Sequence, residues 1–163
     1  MLTEESMQRE RRPQAMAKVV VVAHKAHLGW AEMVCIAAED ALPVRAVSMD
    51  GCRVNYRGGY QDGDEFASAL DDAGLILLYG MDGMDFDTAL AMVHVLRSHC
   101  VHEPLLLVNS VHDEEELLRA YAAGVDECIH VSVGLALLLA KLRAWLRWAP
   151  NGPGFAASPG SPC

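Results

Sequence analysis

Positive charge is scarce in this chain. Thirteen lysines and arginines stand against 22 acidic residues, for a formal net charge of -9. Phosphate contacts need a basic face, so this balance argues against nucleic-acid binding by the body of the domain and disfavours an anionic membrane surface. Paired cysteines are also missing. Cys35, Cys52, Cys100, Cys128 and Cys163 are odd in number, and no two form a Cys-x-x-Cys pair. That usage reads as reduced thiols in a cytosolic protein and gives a structural zinc site no ligand pair of the usual spacing. No long apolar run exists. None is longer than Leu135 to Ala140, far short of the roughly 20 residues a bilayer span needs. The opening residues are polar and charged, without the apolar segment of a signal peptide. A soluble, cytoplasmic protein is the expectation. No Gly-x-Gly-x-x-Gly follows the first apolar run, so a dinucleotide site has no support. Ser48, Ser110 and Ser132 lack the Gly-x-Ser-x-Gly setting of a hydrolase. No enzymatic activity is expected.

What the chain does have is apolar content and order. Hydrophobic residues make up 52% of its 163 positions and charged residues 21%, the composition of one globular domain with tails. Residues 1–16 read as a flexible leader, 17–148 as the domain, and 149–163, rich in Pro and Gly, as a tail or a linker to an output domain. Lys18 to Ala23 is a β-branched run and a buried strand. His24 to His27 follows as a loop, and Leu28 to Ala41 as a helix with Leu28, Met33, Val34, Ile36 and Ala37 as its apolar positions. Val44 to Met49 is a second strand. Arg53 to Tyr56, followed by Gly58-Gly59, fits either a short strand or hairpin or a surface loop. Asp62 or Asp64 caps the next helix, with Phe66, Ala69 and Leu70 inward.

Leu75 to Leu78 is the centre of the pattern. A short continuous apolar run bounded by small residues fits a strand covered on both faces. Tyr79 and a Gly- and Asp-rich turn follow it. Asp85 or Asp87 caps a helix to His99. Leu105 to Val108 is a further strand, and Asp113 heads a helix whose acidic first turn suits its dipole. Gly124 ends that helix. Asp126 to Val131 is the last strand and Val133 to Trp148 the last helix. Five alternations of strand and helix predict an α/β, flavodoxin-like, doubly wound five-stranded parallel sheet with helices on both faces. In such a sheet, function gathers at the carboxyl ends of the strands.

Three stretches match a known family in order and spacing. Gly124-Val-Asp-Glu-Cys-Ile129 resembles the Gly-Ala-Asp-Asp-Tyr-Ile stretch of the receiver domains of bacterial two-component response regulators. Leu75-Ile-Leu-Leu-Tyr79 with Gly83-Met-Asp85 is similar to their phosphorylation-site strand and the turn after it. Pro104-Leu-Leu-Leu-Val108 is similar to their fourth strand. The likeness covers residues 17–148, with an insertion at about 51–63. It implies signal transduction within a phosphorelay. Carried over residue by residue, however, it also implies that the chemistry is gone. The acidic pair that holds magnesium matches Ala23 and His24. The phosphoacceptor aspartate matches Tyr79, or Leu78 if the turn fixes the register. The switch Thr or Ser matches Asn109. The conserved lysine of the family matches Val131, the proline after it Ser132, and the aromatic switch Cys128.

Those losses fall on the groups the reaction requires. Phosphoryl transfer to a carboxylate needs an anionic nucleophile in line with a metal-bound phosphoryl group, and Mg²⁺ needs hard oxygen ligands. The reading is a degenerate receiver, a pseudo-receiver, that acts by contact with a signalling partner without phosphorylation of its own. By the same resemblance, a homodimer is expected through the face of the fourth helix, fifth strand and fifth helix.

Tyr79 is expected to fill part of the vacated pocket, with its hydroxyl tied to His24 or Asn109. The plainer reading packs its ring on the first helix and leaves the hydroxyl in water. The alternative function is a small-ligand binder using the same pocket. A metal would draw on His24, Asp82, His112 and His130, with Asp85 nearby. A cobalamin-type cofactor has only the faint signal of His27-Leu-Gly29. No cofactor is expected.

Overall fold

The computed structural model describes residues 18–38, 42–49, 52–54, 60–62, 64–80, 85–100, 102–111 and 113–148. The expected leader, 1–16, and tail, 149–163, lie outside the described residues. Five strands form one parallel sheet. In chain order they are β1 (Lys18–Ala23), β2 (Val44–Ser48), β5 (Ala73–Tyr79), β6 (Leu105–Asn109) and β7 (Glu127–His130). Their spatial order is β2-β1-β5-β6-β7. The strand order reverses between β1 and β5, so the crevice of an open α/β sheet falls at the carboxyl ends of those two strands.

Among the described residues, five α-helices cover the sheet: α1 (Leu28–Ala38), α2 (Asp64–Asp71), α3 (Phe86–His99), α4 (Glu114–Ala123) and α5 (Leu135–Trp148). Alternation along the strands feeds two separate cores. Val20, Val22, Ile76, Leu78, Leu105 and Leu107 face α2, α3 and α4. Val19, Val21, Leu75, Leu77, Leu106 and Val108 face α1 and α5. Every residue of β5 is buried, which is why its sequence is a continuous apolar run with no polar alternation. Burying each such leucine contributes about 1.5–3 kcal/mol.

The helix ends follow their local signals. Asp85 caps α3, its carboxylate accepting the Thr88 N–H at 2.6 Å. Asp113 caps α4, accepting the Glu115 N–H at 3.1 Å. Gly124 closes α4 at φ 116°. That backbone region costs a residue with a Cβ free energy, and here a Cβ would also meet the Arg97 side chain at 3.1 Å.

Several boundaries and faces differ from the expectations. Strand β7 is Glu127–His130, shorter at both ends than 126–131, because Asp126 is drawn into side-chain bonds at the strand's start. Helix α5 starts at Leu135 rather than Val133, since Val133 donates its N–H to the His130 carbonyl in a turn. Strand β2 ends at Ser48 and β6 runs on to Asn109. Helix α1 is described to Ala38, and positions 39–41 lie outside the described residues.

The inward face of α1 is Ala31, Val34 and Ala38. Met33 and Ile36, expected inside, point outward, with Ile36 75% exposed. At 100° per residue they sit opposite Ala31 and Ala38. Asp62 closes the short strand Tyr60–Asp62 and Asp64 is the first residue of α2. Within the expected insertion, β3 (Cys52–Val54) pairs antiparallel with β4 (Tyr60–Asp62), so the hairpin reading of that stretch holds.

Candidate functional site

The carboxyl edge of the sheet is built from the ends of β1, β5, β6 and β7. Ala23 ends β1 and pairs in register with Tyr79, the end of β5; Val22 pairs with Leu78. Neither register of the phosphoacceptor supplies a carboxylate. Tyr79 lies in the core facing α1 and α5, and Leu78 is fully buried in the core on the other side. Ala23 is also fully buried. Where the family fold implies a carboxylate-held magnesium, these side chains do not fit the ion: that of Ala23 has no ligand atom. The Nδ1 of His24 accepts the Ala26 N–H at 3.2 Å, capping a single 3-10 turn, Lys25–His27.

Tyr79 is 7% exposed. Its ring stacks on Trp30 of α1, with centroids 4.2 Å apart and planes 24° apart. The His27 ring tilts against it at 5.6 Å. Three rings from β5, the 3-10 turn and α1 therefore meet over the end of the central strand. Stacked pairs contribute about 0.5–1.5 kcal/mol beyond their area. The stack agrees with the plainer reading, in which the ring packs on the first helix. Sequence reasoning missed Trp30. It lies seven residues past the end of β1, in the first turn of α1, and no local pattern marks it as the partner of Tyr79.

Gly80 continues the strand's line. Its N–H donates to the Val108 carbonyl at 2.9 Å. A Cβ here would lie 3.1 Å from Leu107 Cδ1 and 3.5 Å from the Ala89 Cβ, so the glycine permits close approach of α3 to the strand end. The following residues, 81–84, which include Asp82, lie outside the described residues, as does His112.

Asn109 ends β6 at 3% exposed. Its carbonyl accepts the Val131 N–H at 2.8 Å, but its side-chain Nδ2 has no hydrogen-bond partner among the described residues. Alternation sends its side chain to the face of Leu105 and Leu107, away from the face that Tyr79 occupies. Val131 packs partly buried against the α1 and α5 core. Cys128, which the resemblance matches to the aromatic switch, lies half-buried in the other core, and burial pushes its thiol pKa up.

His24 and His130 follow β1 and end β7. Strands β5 and β6 stand between them, a separation of about 14 Å at roughly 4.8 Å per strand. The fold therefore does not gather these two histidines around one ion. His130 Nδ1 instead lies 2.7 Å from Ser132 Oγ. Among the described residues no group of three or more His, Cys, Asp or Glu is placed to hold a metal.

The edge strand β7 is held from both layers. Glu127 accepts from Lys141 Nζ at 2.5 Å and from Trp145 Nε1 at 2.5 Å, both on α5. The Tyr121 hydroxyl on α4 accepts the Cys128 N–H at 3.3 Å. Leu137, Lys141, Trp145 and Trp148 recur at helical spacing on one stripe of α5. Two of them reach β7, so exposed Leu137 and Trp148 flank the same edge. Exposed Tyr121, with exposed Leu118 one turn before it, flanks that edge from α4. Among the described residues no helix is long and apolar enough to cross a membrane.

No family model and no curated protein matches the chain. Solved structures do. The Vibrio cholerae chemotaxis protein CheY4 aligns with a TM-score of 0.59 and 21% identity, over 81% of this chain and all of that one. The N-terminal domain of the nisin resistance regulator NsrR, a lantibiotic response regulator, aligns with a TM-score of 0.56 and 22% identity, over 80% of this chain and 98% of that one. The CheY-like TadZ of Pseudomonas aeruginosa aligns with a TM-score of 0.56 and 17% identity, over 79% and 98%. With the β2-β1-β5-β6-β7 order, these alignments establish that this chain has the flavodoxin-like fold of CheY-like response-regulator receiver domains.

Proposed function

We propose that this domain serves bacterial signal transduction as a pseudo-receiver, working through contact with a signalling partner and accepting no phosphoryl group on an aspartate. One observation carries this reading: at the end of the central strand stands Tyr79, buried and stacked on Trp30, beside Ala23. A phenol forms no acyl phosphate, and a methyl group binds no cation. Activity would then be set by the amount of protein and by what binds it. The exposed apolar side chains flanking β7, Leu118 and Tyr121 on α4 and Leu137 and Trp148 on α5, support a homodimer or partner contact on that face. Trp and Tyr are favoured interface residues, and Trp148 is 70% exposed.

The test is incubation with acetyl phosphate and Mg²⁺, read by intact mass, with sedimentation of the same sample. No adduct is expected, and the oligomeric state should be the same with and without the phosphodonor. A single phosphoryl adduct that hydroxylamine removes would overturn the reading.

A second reading rests on Asn109. Its buried amide without a partner among the described residues fits a small ligand that offers an acceptor oxygen at the strand ends. The cobalamin version has little support. His27 lies in the 3-10 turn against Tyr79, and Gly29 lies in the first turn of α1. Visible absorbance of the purified protein decides that version, since bound cobalamin is pink.

A further inference from the structure

We draw no further inference here: the strongest candidate, the buried side-chain amide of Asn109 at the carboxyl end of β6, without a partner among the described residues, belongs to the site already described.

Discussion

The two edges of the sheet solve opposite problems. At the amino edge, Arg97 near the end of α3 is tied on every side. Its Nε donates to the Gly124 carbonyl at 2.8 Å. One terminal nitrogen donates to the carbonyls of Cys100 at 3.1 Å and Glu103 at 2.6 Å. The other meets Asp126 Oδ2 at 2.7 Å. That same carboxylate oxygen accepts the Leu105 N–H at 2.8 Å, at the start of β6. One guanidinium thus joins α3, the loop before β6, the end of α4 and the entry to β7. At the carboxyl edge, Ala23, Tyr79 and Val131 are apolar or aromatic, and Asn109 is a buried polar group whose Nδ2 is unpartnered among the described residues. The difference separates scaffold from chemistry. Among the described residues, polar side chains join elements at the amino edge, and apolar and aromatic ones close the ends of β1 and β5.

Replacement of Tyr79 tests the apolar side of this contrast and should have the largest effect. Tyr79→Ala opens a cavity beneath Trp30 and should cost about 4 kcal/mol in urea unfolding. A loss under 1 kcal/mol would mean that the stack does not hold the strand end to α1. Next comes the polar side. Arg97→Ala leaves three carbonyls without their side-chain donor and Asp126 with only the Leu105 N–H. About 3 kcal/mol is expected, because the guanidinium is mostly buried although Asp126 is partly exposed. Arg97→Lys should recover only part of that loss, since an ammonium cannot reproduce the fork. Full recovery would reduce the network to a single ion pair.

Asn109→Val has the opposite expected sign. Removing a buried amide whose Nδ2 has no partner among the described residues should raise stability by about 1 kcal/mol. Destabilisation would show that the amide has a partner in solution and would favour the ligand reading. The smallest effect lies at the surface cap of α3. Side-chain and then backbone hydrogen bonding to Thr88 holds the Asp85 carboxyl below its usual pKa. A lowered folded value contributes stability above the ordinary carboxylate pKa of about 3.9. That contribution is lost as pH falls through the folded value. Thermal melts of the wild type and Asp85→Ala should therefore differ at neutral pH and converge in acid. A gap that stays constant down to pH 2 would remove the cap's titration from the account.

The contrast also explains what could be read before the fold was seen. Val19 to Val22, Leu75 to Leu78 and Leu105 to Val108 are buried on both faces, so composition alone marks them as central strands. Asp85, Asp113 and Gly124 act within a few residues of themselves, so spacing identifies them. Arg97 does not act locally. Its main partners lie 27 and 29 positions away, and three of its acceptors are backbone carbonyls that any residue could supply. The Trp30–Tyr79 stack depends on α1 crossing over β5, which no local pattern encodes. The outward Met33 and Ile36 show the same limit. An apolar side chain on a helix names a preference for burial, and the packing partner decides which face receives it.

The three tryptophans of the chain stand in three different settings. Trp30 lies against a tyrosine ring, Trp145 donates its indole N–H to a carboxylate, and Trp148 faces solvent. The molecule therefore carries its own optical reporters. Emission from Trp30 follows its stack with Tyr79 at the end of β5, that from Trp145 follows the seating of α5 on β7, and quenching of Trp148 by an added solute follows whatever covers the β7 edge. Single-tryptophan variants would let occupancy of the strand ends and docking at the β7 edge be watched separately, in one cuvette and without a label.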